Sequence, residues 1–463
     1  MDNATRLVID VFEQVNRIPR CSKQEQQVSR WIQGWAQARG LIVKSDPAGN
    51  LVVRVPATDG FEQAPTIILQ GHMDMVCEKR ADSDHDFSKD AIQMVQEGPW
   101  LTARETTLGA DNGIAIALAM ALVDHPDVSH PPLELFFTVD EETGLTGVLK
   151  MDPSLLRGKI LINLDSEDEG VFVVGCAGGR NTTIHRPLDV RAIDDGYAWV
   201  GVSAHGMKGG HSGLDIAKHR ANANKVMARL LRAGMAAVPI RLVGLDGGTG
   251  RNVIPRACEA VVACRRDQVD ELVIQIGSLT RTIEQEYRTT DPGITIQVEQ
   301  KAPLAEDRRG VTEIDTATVV NLLAALPSGP VEMTAAFPLL VQTSVNLSMV
   351  EITSDVLTVT ANQRSSVPSR LEAICQMVEA AGGLAGATVH TGSGYPSWPM
   401  NRESPLLKRC TALYRELFDA APTVQVMHAG LECGVIGDRC PGMDMISLGP
   451  TMENPHSPSE RLY

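Results

Sequence analysis

An α/β fold with a mostly parallel central sheet flanked by helices, interrupted by a second α+β domain, follows from three features of the sequence. Short apolar runs alternate with helical periodicity through the first third of the chain. The glycine-dense stretch Gly175-Cys176-Ala177-Gly178-Gly179 ends that pattern, as suits a hinge or a tight strand turn. Beyond it a separate series of strand and helix signals begins, and only the last part of the chain returns to the first pattern. The expected division is 1–182 and 393–463 for the first domain, in two parts, with 183–392 inserted as the second.

The elements follow in order. Residues 3–40 carry apolar side chains at helical spacing (Leu7, Val11, Val15, then Val28, Trp31, Ile32, Trp35), broken near Pro19. Strand-like runs come at 51–55, 66–70, 133–139 and 159–164, and the Ala-rich stretch 112–123 reads as a buried helix. In the inserted domain, strands at 199–203, 257–264 and 294–298 alternate with helices at 221–233 and 270–287. A weaker copy covers 344–352, 356–362, 370–381 and 388–391, and in both copies a strand, basic residues, a helix and a strand succeed one another, which suggests a tandem duplication. The stretch 393–400 links back to the first domain, which a helix at 405–418 and a strand at 445–448 complete.

Composition narrows the function. At ~150 residues per domain, 463 residues make two or three domains, each able to bury a core. The longest apolar run, 114–123, has ten residues against the ~20 of a bilayer span, so no integral membrane protein is expected. The opening MDNATRLVID carries two acids and no readable secretory signal. A net charge of 42 − 57 = −15 repels phosphate and argues against nucleic-acid binding. Nine scattered cysteines without a C-x-x-C pair fit reduced thiols in a cytoplasmic protein, so any metal would be held by His, Asp and Glu.

Five places carry chemistry. His72 and Asp74 follow the run 66–70, where the carboxyl end of a strand gathers ligands in an open α/β sheet. Asp111 lies in Gly-Ala-Asp-Asn-Gly at a helix entrance, Asp140-Glu141-Glu142 follows 133–139, Asp165 follows 159–164, and His456 lies near the far end. Taken singly, each has an ordinary explanation as a cap, a solvated loop or a surface residue. Together, that many strand-end carboxylates need cations to offset their repulsion and desolvation. Two imidazoles and three carboxylates suit a divalent pair such as zinc, with one carboxylate bridging.

The ordered motifs GHMDMVCEK, TLGADNGIAIA, TVDEETGLTG, NLDSEDEG, GCAGG, HSGLDI, GRNVIPR and ENPHSPSERL resemble the co-catalytic zinc metallopeptidases, a superfamily with carnosinases, aminoacylases and succinyl-diaminopimelate desuccinylases. NLDSEDEG, GCAGG and the long inserted domain point to its aminoacyl-histidine dipeptidase branch. The resemblance implies a zinc-peptidase catalytic domain and an inserted lid. It implies two Zn2+ per chain, with Co2+ or Mn2+ as substitutes, acting on dipeptides including Xaa-His.

His72 and Asp165 would hold one ion and Glu142 and His456 the other, with Asp111 bridging, Asp74 orienting His72 and Glu141 as general base. The peptide after Asp111 would be cis. From the lid, His211 would steady the oxyanion, Asn252 and Arg364 would contact substrate, and Gly430 would lie beside it. A short-lid relative takes that histidine from a partner subunit; this longer lid would supply it in cis, and the chain is also compatible with a homodimer. His205 and His219 read as structural or surface residues, His428 is left without a role, and 167–169 read as a solvated loop. Family members continue into another helix, whereas this sequence ends at Tyr463, seven residues after His456. The rival expectations are an N-acyl amino-acid amidohydrolase of the same superfamily and a catalytically silent metal- or peptide-binding relative.

Overall fold

The computed structural model describes residues 2–302, 308–334 and 337–463. The chain forms two compact units. One comprises the residues up to Cys176 with Trp398–Val426 and Leu431–Tyr463; the other comprises Ala177–Ser397 with Met427–Gly430. The turnover from one to the other thus falls at 176/177 and 397/398, where 182/183 and 392/393 were expected. The strand Gly178–Pro187 sets it, because its whole length pairs with Val356–Ser365 of the second unit.

In the first unit the helical periodicity becomes two helices, Asn3–Asn16 and Gln26–Ala38, separated at the Pro19 break. Their apolar stripes (Val11, Phe12, Val15; Val28, Ile32, Ala36) join one core with the apolar helix Ala110–Asp124. The sheet runs Ile42–Ser45, Leu51–Val55, Leu133–Thr138, Ile67–His72, Ile160–Asn163, Asp444–Ser447, Val171–Cys176 and Thr423–Met427.

The middle four strands are parallel, whereas Ile42–Ser45, Leu51–Val55 and Val171–Cys176 join the sheet by antiparallel pairings, so the sheet is parallel at its centre and antiparallel around it. The reason is connection length. The links 46–50 and 164–170 are shorter than the dozen residues that a parallel crossover needs.

Parallelism at the centre has a direct consequence for the site. Ile67–His72 pairs with Leu133–Thr138 so that His72 lies opposite Thr138, and with Ile160–Asn163 so that Gln70 lies opposite Asn163. The residues just after these three strands share one edge of the sheet. Gly71 lets the central helix approach that edge: a Cβ there would fall 2.3 Å from Asn112 Oδ1 and 2.5 Å from Ala115 Cβ. A small sheet that the sequence did not announce pairs Met452–Glu453 with Arg461–Leu462, and the latter with Trp100–Ala103.

The second unit is built on a nine-stranded antiparallel sheet. Its order shows a repeat. Thr295–Lys301, Tyr197–His205, Cys258–Arg265 and Arg241–Gly247 form one half; Thr388–Thr391, Gly178–Pro187, Val356–Ser365 and Phe337–Thr353 form the other in matching order, and the halves join where Arg241–Gly247 meets Phe337–Thr353. In each half a strand leads through a helix (Val269–Glu286 or Pro368–Leu384) to the outermost strand. The second half takes its second strand from residues 178–187, at the start of the unit, which is why the copy looked weaker along the sequence.

Two further observations bear on the sequence reading. Cys21 and Cys77 form a disulfide with a Cα–Cα distance of 5.7 Å, which corrects the expectation that all thiols are reduced. Cys21 also bridges Met75 in parallel fashion, so the fold brings together two cysteines that spacing alone could not pair. Among the described residues, no helix is long and apolar enough to cross a membrane.

Candidate metal centre

Each acid and imidazole of the first unit singled out in the sequence arrives at the shared strand edge. His72 ends its strand and is buried; its Nε2 faces Asp111 Oδ1 at 3.0 Å and Asp165 Oδ1 at 3.4 Å. His456 Nε2 faces the other Asp111 oxygen, Oδ2, at 3.0 Å and Glu142 Oε2 at 3.1 Å. Asp111 therefore turns one carboxylate oxygen towards each histidine. Two donor groups result, His72–Asp111–Asp165 and Asp111–Glu142–His456, and within each the donor atoms lie within 4.8 Å of one another. A third group, His72–Glu141–Glu142, brings in Glu141.

Backbone and buried polar side chains fix this arrangement. His72 Nδ1 faces Asp74 Oδ1 at 3.3 Å, the outer partner that a metal-binding imidazole commonly has. The same Asp74 accepts the N–H groups of Glu141 (3.1 Å) and Glu142 (3.2 Å) and the Ser22 hydroxyl (2.8 Å), so one carboxylate orients a histidine and the acidic loop together. Asn112 accepts the His72 N–H through Oδ1 (3.1 Å) and donates from Nδ2 to the Leu164 carbonyl (2.8 Å), spanning two strand ends. The Asp111–Asn112 peptide is cis, as the resemblance implies. Asp140 and His456 both have left-handed backbone, with φ of 51° and 59°, conformations that non-glycine residues hold only when their surroundings enforce them.

The electrostatics are those of crowded acids. Burial pushes the Glu141 carboxyl well above the usual carboxylate range, with Asp165, Glu142 and Glu432 adding to the shift and His72 opposing it. Burial also raises Glu142 and Asp165. Hydrogen bonds to Asp111 and Glu142 lift His456 to about 11. For His72, burial opposes the charge, but Asp165, Asp111 and Asp74 outweigh it and its pKa lies well above the ordinary value. Carboxylates and imidazoles that hold protons this tightly present the same lone pairs that divalent cations compete for. Glu142 Oε1 is buried with no hydrogen-bond partner among the described residues, an acceptor that a cation would satisfy. The donor set therefore fits a pair of divalent ions.

The remaining expected residues lie in the second unit, where they share neighbours. His211 Nδ1 accepts the N–H groups of Gly213 (3.3 Å) and Leu214 (3.1 Å), which leaves the ring proton on Nε2 as a donor. Asp215 takes the His211 N–H at 2.8 Å. Ser212 donates its N–H to the Asn252 carbonyl (2.8 Å) and its hydroxyl to Asn362 (2.9 Å). The buried Arg364 donates to Asn362 (3.0 Å) and to the Tyr395 hydroxyl (2.8 Å). Gly430 lies against that tyrosine, where a Cβ would stand 2.6 Å from the ring. His211, Asn252, Arg364 and Gly430 thus form one constellation.

Several partners escaped sequence reasoning. Tyr395 sits in what read as a linker. His428, without a role from the sequence, is buried in the same constellation with Nε2 at 2.8 Å from Ser344 Oγ; burial, with Arg364 and His211 nearby, lowers it to about 3. In the first unit Glu432 is fully buried, accepts hydrogen bonds from Thr138 and Gln70, and is raised to about 7, chiefly by burial. The signal for Glu432 and His428 was present in HAGLECG, where a buried acid and imidazole flank the predicted glycine. Glu167, Asp168 and Glu169 are exposed, as a solvated loop should be.

Comparison with known proteins agrees with this geometry. The chain is 37% identical over 454 residues to the cytosol non-specific dipeptidase of Escherichia coli, covering 98% of this chain and 93% of that one. It superposes on the aminoacylhistidine dipeptidase of Vibrio alginolyticus with a TM-score of 0.88 at 35% identity, over 100% of this chain and 94% of that one. Aminopeptidase PepT of Bacillus cereus shares the fold at a TM-score of 0.56 and 15% identity, over 99% and 93% of the two chains. The model of one family matches residues 68–463, a span that takes in the strand ends, Asp111 and the distant His456: the chain belongs to peptidase family M20/M25/M40.

Proposed function

We propose that this metallo-dipeptidase hydrolyses dipeptides with broad specificity, Xaa-His dipeptides among them, at a centre of two zinc ions. The observation that carries the reading is Asp111, one carboxylate oxygen turned to each of two donor groups drawn from separate strand ends. His72 and Asp165 would hold one ion, Glu142 and His456 the other, and Asp111 both. Cobalt or manganese would suit the same donors.

Two cations bound there would supply Lewis-acid charge and bring the pKa of a water towards ~7. The chain's own residues do the rest. Asp74 holds His72 in orientation and, through the two amides, fixes Glu141 beside the donors. Held beside the donors, Glu141 is placed to take a proton from the attacking water and return it to the departing amine. His211, with its proton on Nε2, would donate to the developing oxyanion. Arg364, a planar two-pronged donor, would receive the free carboxylate of the peptide, and Asn252 and Gly430 would line it. A cytoplasmic location and a homodimer belong to the same proposal, the former supported by the name of the E. coli relative; light scattering on the purified protein tests the latter.

The decisive test is a substrate panel of dipeptides and N-acetyl amino acids, assayed on protein whose metal content has been measured. Turnover of dipeptides, lost on chelation and restored by zinc, is expected. Cleavage of N-acetyl amino acids alone would replace the reading with an amidohydrolase, and binding of Xaa-His without cleavage would replace it with a silent binding protein.

A further inference from the structure

The carboxylate of Glu460, only 2% exposed, accepts four successive backbone N–H groups. Its Oε2 takes Leu108 at 2.8 Å and Gly109 at 3.0 Å, and its Oε1 takes Ala110 at 2.7 Å and Asp111 at 3.2 Å. These amides open the helix Ala110–Asp124. They lack helical partners and carry partial positive charge, so an acid there caps the helix.

The chain position of this acid gives it a second property. Glu460 lies 349 residues beyond Asp111 and four residues after His456. The loop that carries His456 is closed at its base by the pairing of Met452–Glu453 with Arg461–Leu462, and the Glu460 N–H donates to the Ser457 carbonyl at 3.0 Å. One carboxylate therefore fastens the backbone of Asp111 to the loop of His456, whose side chains meet at 3.0 Å.

Gly109 is gripped from both sides. Its N–H goes to Glu460 and its carbonyl to Arg20, a buried guanidinium that also donates to the carbonyls of Met73 (3.3 Å) and Asp74 (3.0 Å). Arg20 thereby extends the fastening to the segment that bears His72. Side-chain capping alone would satisfy the amides from any nearby residue, whereas this arrangement draws three donor-bearing segments onto one pair of buried charges.

We propose that Glu460 is a positioning residue of the metal centre, setting the separation of Asp111 and His456 and hence the zinc affinity of the donor group those two share with Glu142. The inference rests on the two-zinc reading above.

It is tested on the full chain with wild type, E460Q and E460D. Glutamine keeps the shape but presents an NH2 to amides that need an acceptor, and aspartate keeps the charge but shortens the reach. Zinc affinity is read by competition with a chromogenic chelator, thermal melting with and without zinc, and kcat and KM on a dipeptide. In E460Q the weaker zinc is expected to bind ~10–100-fold less tightly. Zinc should then raise its melting temperature by less than in wild type, and kcat should fall with KM held within about twofold. Excess zinc should recover part of the lost kcat, and E460D should fall between the two.

Unchanged zinc affinity and kcat, with equal drops in melting temperature for apo and zinc-loaded protein, would reduce Glu460 to a helix cap and overturn the proposal. Should E460Q fail to fold, the zinc affinity of E460D decides by the same criterion. The wild-type titration separates the two levels: no zinc uptake there removes the metal reading itself, whereas normal uptake there with an unaltered variant removes only the role of Glu460.

Discussion

Glu141 and Glu142 are neighbours whose N–H groups both go to Asp74, so the loop keeps its course when either side chain is removed. Glu141→Ala should therefore retain bound metal while kcat falls by ~10²–10⁴, the usual worth of a positioned acid–base group. Metal analysis beside steady-state kinetics checks this, and full turnover would displace Glu141 from the role. His428 gives a pH dependence. Its folded pKa is lowered to about 3 from an ordinary 6.5, by burial first and then by Arg364 and His211. The unfolded chain thus binds the proton more readily, and the folded state loses stability as pH falls from ~6.5 towards ~3. Denaturant midpoints between those limits should decline less steeply in a His428→Gln variant than in the parent. The motif HAGLECG marked the place of this histidine but not its titration, because only its buried neighbours lower its pKa. The strand-end donors were legible because each sits in a short motif directly after an apolar run.

At the scale of elements, the disulfide joins the loop after Asn3–Asn16 to the stretch that follows the strand Ile67–His72. The two cysteines are 56 residues apart, and a cross-link of that span restricts the unfolded chain by about 4 kcal/mol in the loop-entropy account. Its flanks reach the candidate metal centre. Arg20 and Ser22, on either side of Cys21, both reach Asp74. A Cys21→Ser, Cys77→Ser double variant, or the parent under dithiothreitol, should show a lower denaturant midpoint, read by circular dichroism. Equal midpoints in all three would mean that packing holds the loop unaided. Spacing and composition could not reveal the pair, since neither cysteine lies in a recognisable pattern. Elements bounded by glycine or proline were read almost to the residue, as at the strand Leu51–Val55 and the helix Pro405–Phe418. Two-residue strands such as Arg461–Leu462 were not, because two residues carry no periodicity.

For the molecule as a whole, metal and stability are linked. Ligands that bind only the folded state stabilise it by RT ln(1 + [L]/Kd), about 4 kcal/mol at a thousandfold excess over Kd. Chelation should therefore lower the melting temperature in calorimetry, and zinc should restore it. An unchanged melting profile would mean that the acidic edge holds itself together without cations. The α/β class and the inserted second domain were legible because local periodicity reports them. The repeat in the second unit was only partly legible, because its matching strand precedes the rest of its half by more than a hundred residues.

The first unit draws on three separate stretches of chain, and His456 follows Asp165 by 291 residues. At ~5–20 residues per second on a ribosome, that interval lasts roughly 15–60 s. During it the growing polypeptide already holds four of the five proposed donors yet lacks the last. On the proposed ligand set, hydrolytic competence would be deferred until translation has passed the far side of the insertion, so that its timing is written into chain order.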